Sequence, residues 1–182
     1  MILEVLQFPD PRLREKSAPV ERSEVDEAFR ELAANMAETM YDEPGIGLAA
    51  PQVGVTRRLI VMDTDWPDNE RNTRILVNPE ILHSEGKQLS KEEACLSVPD
   101  FSADVDRYAR VIVKARDLDW EPLEFDCTGL ESICLQHEID HLDGVLYIDR
   151  ISRLKRDLYV RRRKKQLRRD QEEAGPPGSI RL

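Results

Sequence analysis

Two of the three histidines stand in Gln136-His137-Glu138-Ile139-Asp140-His141-Leu142-Asp143-Gly144, an H-E-x-x-H arrangement. At about 100° per helical residue, His137 and His141 fall roughly 40° apart on one face, so both imidazoles can reach one metal ion. They supply half of a tetrahedral site. By the same arithmetic Glu138 lies about 60° round from His141, beside an ion instead of in line with it, which suits a general base better than a ligand. The alternative is a surface helix with two chance histidines, and the neighbouring residues argue against it. Leu130, Ile133 and Cys134 precede His137 at helical spacing while Leu135, Ile139 and Leu142 line another side, so the helix reads as buried nearly all round. A histidine pair and a carboxylate in that setting need a partner to offset their desolvation, and a divalent cation is the simplest one.

The elements that must position this helix are legible to different degrees. Thr128 and Gly129 open it and Gly144 closes it. Residues 105–118 alternate as one long strand, with residues 123–127 as a partner across Asp119-Trp120-Glu121-Pro122. Residues 59–62 read as a buried strand, 65–73 as an exposed loop, and Ile75-Leu76-Val77 as a short strand ended by Asn78-Pro79. Ser23, with Asp26 three residues on, reads as the cap of an amphipathic helix over residues 23–40, which stops near Glu43-Pro44-Gly45. The stretch from Gly45 to Gly54 carries three glycines and is too irregular for helix or strand, which implies a tight loop or a close backbone approach. It lacks both the spacing and the lysine of a phosphate-binding loop. Cys95, in Glu93-Ala94-Cys95-Leu96-Ser97-Val98-Pro99, reads by itself as a small core hydrophobe. A last helix over residues 151–169 has a thin apolar face. The expected fold class is α+β: antiparallel strands packed around a central metal-binding helix, one catalytic domain over residues 1–170, and a disordered tail over 171–182.

Composition narrows the setting. The 182 residues are 40% hydrophobic and 35% charged, with no apolar run near the ~20 residues that span a bilayer, so no membrane association is expected. The opening residues lack a basic region and a cleavage site, and three cysteines, an odd number, suggest a reducing compartment. The expected location is cytoplasmic. The net charge of −9 hides an asymmetry: residues 153–169 hold ten Lys or Arg against one acid, Asp157, giving +9 there and −18 over the rest. That basic segment reads either as a solvated helix face or as a contact for an anionic partner.

Taken together and in order, the stretches Gly45 to Gly54, Glu93 to Pro99 and His137 to Gly144 resemble the three signature motifs of the peptide deformylases, metallohydrolases that remove the formyl group from the N-terminus of new bacterial proteins. The likeness extends from the early Pro-Asp-Pro-Arg through Asp149-Arg150-Ile151. The second motif departs from the family, reading E-A-C-L-S where glycine usually stands at the position of Ala94. The resemblance implies Cys95, His137 and His141 as metal ligands and Glu138 as the acid/base, with a water as nucleophile in the fourth position. It further implies that the Gln52 amide and the Leu96 N–H hold the formyl oxygen. Gly47 would lie against the metal site and the substrate backbone. Ile46, Leu130, Ile133 and Cys134 would line a methionine pocket, with the peptide extended beside Ala94. The metal implied is ferrous iron in the cell, although a Cys-His-His set also accepts Zn2+, Ni2+ or Co2+. The partners implied are formyl-Met nascent peptides, and the ribosome through residues 153–169. Rival readings are a zinc peptidase, which would need a further ligand after His141, and a non-catalytic ribosome-associated relative, in which Glu138 or Gln52 should have decayed first.

Overall fold

The computed structural model describes residues 1–66 and 68–174. Its centre is a five-stranded antiparallel sheet that receives a helix on each face. The strands are β1 (Gly47–Ala49), β2 (Leu59–Met62), β3 (Arg74–Glu85), β6 (Arg110–Arg116) and β7 (Pro122–Thr128), in the spatial order β1-β2-β3-β6-β7. A separate hairpin joins β4 (Gln88–Cys95) to β5 (Val98–Arg107). The helices are α1 (Glu27–Asp42), α2 (Gly129–Leu142) and α3 (Arg153–Ala174).

Alternation along β2 shows how the layers form. Successive strand side chains point to opposite faces, and here both faces are covered. Ile60 and Met62 join Leu76, Val111, Val113, Leu135, Ile139 and Leu142 in the core between the sheet and α2, while Leu59 and Val61 join Phe29, Ala33, Met36, Met40 and Leu48 beneath α1. Each fully buried Leu, Ile or Met contributes about 1.5–3 kcal/mol, so α2 is anchored by its apolar side whatever its polar side holds. A third cluster unites the hairpin, through Val98, Ala103 and Val105, with Leu146, Tyr147, Ile148 and Tyr159.

Several boundaries differ from the expectations. The first helix starts at Glu27, because the Asp26 side chain accepts from the Phe29 N–H at 2.9 Å, while Ser23 lies in a separate 3-10 turn, Arg22–Glu24. The stretch from Gly45 is not simply a loop: it contains β1 and a 3-10 turn, Ala50–Val53, because pairing with β2 satisfies its backbone. β3 does not end at Asn78-Pro79. Asn78 turns into the left-handed region at φ 52, its side chain bonds both the N–H and the C=O of Val20, and the register shifts, so the missing N–H of Pro79 is accommodated within the strand.

The expected strand over residues 105–118 is two strands in two sheets. Between them the Tyr108 N–H donates to Gln136 Oε1 at 2.9 Å, and the Tyr108 carbonyl accepts from Gln136 Nε2 and Ser132 Oγ, both at 3.0 Å. Side chains of α2 thus replace the ladder at the break, an interaction with no local signature. Helix α3 continues to Ala174 instead of stopping at Arg169, so the expected tail is helical over residues 171–174 and its remainder, 175–182, lies outside the described residues. Among the described residues no helix is long and apolar enough to cross a membrane.

Candidate active site

Helix α2 is buried from Cys134 to Leu142, and this burial governs its chemistry. It ends where Gly144, at φ 73, turns the chain against the Arg14 carbonyl: a Cβ at that position would lie 2.5 Å from the oxygen, so only glycine fits. His137 and His141 project from this helix toward Cys95 at the end of β4. Cys95 Sγ lies 3.2 Å from His141 Nε2, and the two Nε2 atoms lie 3.3 Å apart. All three ligand atoms fall within 4.8 Å of one another. Two nitrogens each ~2.0–2.1 Å from one ion at a tetrahedral angle are separated by about 3.3 Å, so the donors fit a single metal ion both in spacing and in chemical type.

The partners of each ring fix which nitrogen faces the cluster. His137 Nδ1 lies 2.7 Å from Glu93 Oε1, which leaves Nε2 for the metal side. Arg107, almost wholly buried, donates from Nε to Glu93 at 3.1 Å and from Nη1 to Asp140 at 2.7 Å, and Arg150 closes the far side of Asp140. Burial pushes the Glu93 carboxyl up, but hydrogen bonds from His137 and Arg107 outweigh it and hold the group at about 2. Glu93 is therefore a carboxylate. His141 has no such partner at Nδ1, and burial, reinforced by His137, keeps its ring well below the ordinary histidine range and hence neutral, the form that binds a metal.

Glu138 differs from Glu93 although both are buried. Its Oε2 has no hydrogen-bond partner, and burial, the main cause, pushes the carboxyl up to about 7. A carboxyl with that affinity for protons can give and take one near neutrality. Gly47 stands directly against it: a Cβ there would lie 2.4 Å from Glu138 Oε1 and 2.8 Å from Cys134 Sγ. Gln52 is held with its amide oriented, since Oε1 accepts from the Ala49 N–H at 2.8 Å. Its NH2 therefore lies toward Ser97 Oγ, at 3.2 Å, and Cys95 Sγ, at 3.6 Å.

These groups open on a cleft of about 810 Å3. Ile46, Gly47, Gln52, Ala94, Cys95, Leu96, Leu130, Ile133, Cys134, His137 and Glu138 all line it, and His141 lies beneath, only 1% exposed. The cleft thus gathers the residues singled out from the three motifs, although Leu130 sits at its lip, half exposed, instead of in a closed pocket. Glu93, Arg107, Asp140 and Ser97 escaped the sequence reading. Glu93 had a usable signal, since it stands two residues before Cys95 and strand residues at that spacing share a face. Arg107 had none, because its partners come from another strand and a helix.

Comparison with known proteins gives the same grouping. Residues 2–157 match the family model described as polypeptide deformylase. The chain is 49% identical over 168 residues to the peptide deformylase of Acidobacterium capsulatum, covering 92% of this chain and 97% of that protein. It is 48% identical to that of Alkalilimnicola ehrlichii, covering 96% of each. Among solved structures, a peptide deformylase from Legionella pneumophila superposes with a TM-score of 0.84 at 43% identity, covering 97% of this chain and all of that one. A Met-Ala-Ser-bound peptide deformylase from Acinetobacter baumannii superposes at 0.77 with 37% identity, covering 83% of this chain and 99% of that one. The fold is shared over nearly the whole length, and the chain belongs to the polypeptide deformylase family.

Proposed function

We propose that this chain hydrolyses the N-terminal formyl group of formyl-methionyl nascent peptides, giving formate and a free N-terminal methionine, with Cys95, His137 and His141 holding the metal ion. The observation that carries this reading is a buried carboxyl, Glu138, whose Oε2 has no hydrogen-bond partner and which is pushed up to about 7 beside a Cys-His-His donor set at the base of an open cleft. A divalent ion bound there would act as a Lewis acid on the formyl carbonyl and bring the pKa of a water toward ~7. Ferrous iron is the proposed ion in the cell, with zinc, nickel or cobalt as substitutes in a purified sample.

The remaining work falls to the chain. Glu138 accepts the proton of the attacking water and delivers it to the departing amine. The Gln52 NH2, its orientation set by Ala49, and the Leu96 N–H donate to the formyl oxygen as charge develops on it, a kind of donation worth ~10²-fold or more per donor. Ile46, Ile133 and Cys134 enclose the methionine side chain, with Leu130 at the lip, and the peptide extends past Gly47 and Ala94. The Met-Ala-Ser bound to the Acinetobacter baumannii relative supports such a peptide-binding groove.

A zinc peptidase reading is disfavoured because no histidine follows His141 and the third donor comes from upstream, at Cys95. A non-catalytic relative is disfavoured because Glu138, Gln52 and the donor set are all in place. We place the protein in the cytoplasm, where formylated chains emerge, and propose that the basic face of α3 meets the ribosome. Metal-replete protein should release formate from a formyl-Met peptide, and Glu138→Gln should keep one metal per chain while lowering turnover by ~10²-fold or more. Absence of formate release by the metal-replete protein would refute the reading.

A further inference from the structure

The N-terminal segment is built into the cleft in a way that none of the three motifs requires. The Leu6 N–H donates to the Gln52 carbonyl at 2.7 Å and the Phe8 N–H to the Ser97 carbonyl at 2.8 Å, so residues 6–8 lie across the first and second motifs. The residue between, Gln7, is exposed and lines the cleft together with Asp100 and Phe101 of β5.

Helix α3 holds this wall from behind. Arg163 donates from Nη2 to Gln7 Oε1 at 2.8 Å and from Nε to the Phe8 carbonyl at 3.1 Å. Arg162 donates to the carbonyl of Asp100, whose backbone stands in the left-handed region at φ 58. Tyr159 stacks on Phe101 with ring centroids 4.8 Å apart and meets Phe8 at 5.9 Å. A guanidinium can only donate, so the partner it takes on Gln7 is the amide oxygen. That choice leaves the Gln7 NH2 as the free end of the side chain, and among the described residues no hydrogen bond engages it.

We infer that Gln7 is a substrate-binding residue whose amide NH2 donates to a backbone carbonyl of the peptide beyond its methionine, and that Arg163 is the positioning residue that sets the orientation of that amide. The cleft has room for residues beyond the methionine, since about 810 Å3 far exceeds one methionine side chain and Gln7 is part of its lining. The donor acts on residues that a single formyl-methionine lacks, so it discriminates by peptide length. Helix α3 thereby reaches the substrate through one amide, although none of its described residues lines the cleft.

The inference rests on the deformylase reading, and the two fail differently: if that reading is wrong, the unaltered protein releases no formate from any substrate. The test compares formyl-methioninamide with formyl-Met-Ala-Ser and follows the ratio of kcat/KM for the longer substrate to that for the shorter. Gln7→Ala should lower this ratio about 3–10-fold through KM, the range of one lost hydrogen bond. Gln7→Glu is the decisive variant: it keeps and strengthens the contact to Arg163 but replaces the donor NH2 by an acceptor oxygen. A purely structural role predicts the unaltered ratio in Gln7→Glu, whereas a substrate donor predicts a fall at least as large as in Gln7→Ala. Arg163→Ala should lower the ratio in the same direction, and combining it with Gln7→Ala should add little, because the two act as a unit. An unchanged ratio in Gln7→Glu, or fully additive losses in the double variant, would overturn the assignment.

Discussion

Helices α2 and α3 use charge in opposite ways. Ten of the 14 residues of α2 are buried, whereas Tyr159 is the one buried residue among those described in the 22-residue α3. Around α2, charged groups sit in a poorly screened interior, where burial and close partners set their protonation: Glu93 of β4 is held at about 2 by His137 and Arg107, and Glu138 is pushed to about 7 by burial. On α3 the guanidinium groups are solvated and screened, so they act by reach and geometry. The same residue classes are therefore set for proton transfer on one helix and for reach on the other, and burial makes the difference.

Removing a donor from the buried side should have the greatest consequence. Cys95→Ala should reduce metal content from one ion per chain to almost none, a larger loss than the about 10–100-fold that follows from deleting an outer partner of a ligand. Full metal occupancy by elemental analysis would show that Cys95 does not act as a ligand. Next in size is Arg107→Ala, which leaves Glu93 and Asp140 as buried anions without their shared cation and should cost about 3–5 kcal/mol by urea unfolding. The pH dependence follows from the sign of the Glu93 shift. Its carboxyl is held below the ordinary 4.5, so its contribution is fully present above 4.5 and is lost as pH falls toward about 2. In Arg107→Ala the Glu93 carboxyl loses one of the two groups holding it down, so the acid-dependent loss should be smaller and should finish at a higher pH. Identical acid profiles for the two proteins would mean that Arg107 does not hold Glu93.

What the sequence disclosed divides along the same line. His137, Glu138 and His141 were legible because a single helix fixes their spacing, and the sheet strands β2 and β7 because alternating or continuous apolar runs mark them. The buried ion network was not, since Glu93, Arg107, Asp140 and Arg150 come from β4, β5, α2 and the turn after it, and no local pattern joins them. The hairpin of β4 and β5 was missed for a related reason. Its alternation is interrupted by two register shifts and by left-handed backbone at Glu92, φ 47, and Asp100, φ 58, which displaced the apparent strand toward residues 105–118. Ser23 misled because its cap spacing was satisfied equally well by Asp26, whose side chain the helix uses.

The solvated side of the comparison predicts a smaller and salt-sensitive effect. Truncation before Arg161 would also remove Arg162 and Arg163, which hold Asp100 and Gln7, so charge reversal of residues without that duty is the cleaner change. Arg161, Lys164 and Lys165 are exposed, and replacing all three by Glu should weaken low-salt co-sedimentation with ribosomes about tenfold or more. Equal co-sedimentation of the two proteins would remove α3 as the contact.

The smallest effect is expected at Ala94, where the second motif departs from the family's usual glycine. A glycine there could serve a left-handed backbone or a close approach, and the two predict different outcomes on reversion. The left-handed non-glycine residues of the hairpin are Glu92 and Asp100; Ala94 is not among them, and it stands within β4 at the register shift between Glu93, paired with Ala103, and Cys95, paired with Val98. No strain is therefore available for release by Ala94→Gly, and the gain in backbone freedom of the unfolded chain should leave the melting temperature unchanged or slightly lower. What glycine would alter is space, because Ala94 is exposed and lines the cleft. Removing its methyl widens the groove beyond the methionine pocket, so Ala94→Gly should raise kcat/KM mainly for formyl-Met peptides whose next residue is bulky, by a factor of a few, and little for formyl-Met-Ala. A clear rise in melting temperature with unchanged substrate preference would reverse this conclusion, placing the role of the position in its backbone and leaving the width of the groove to other residues.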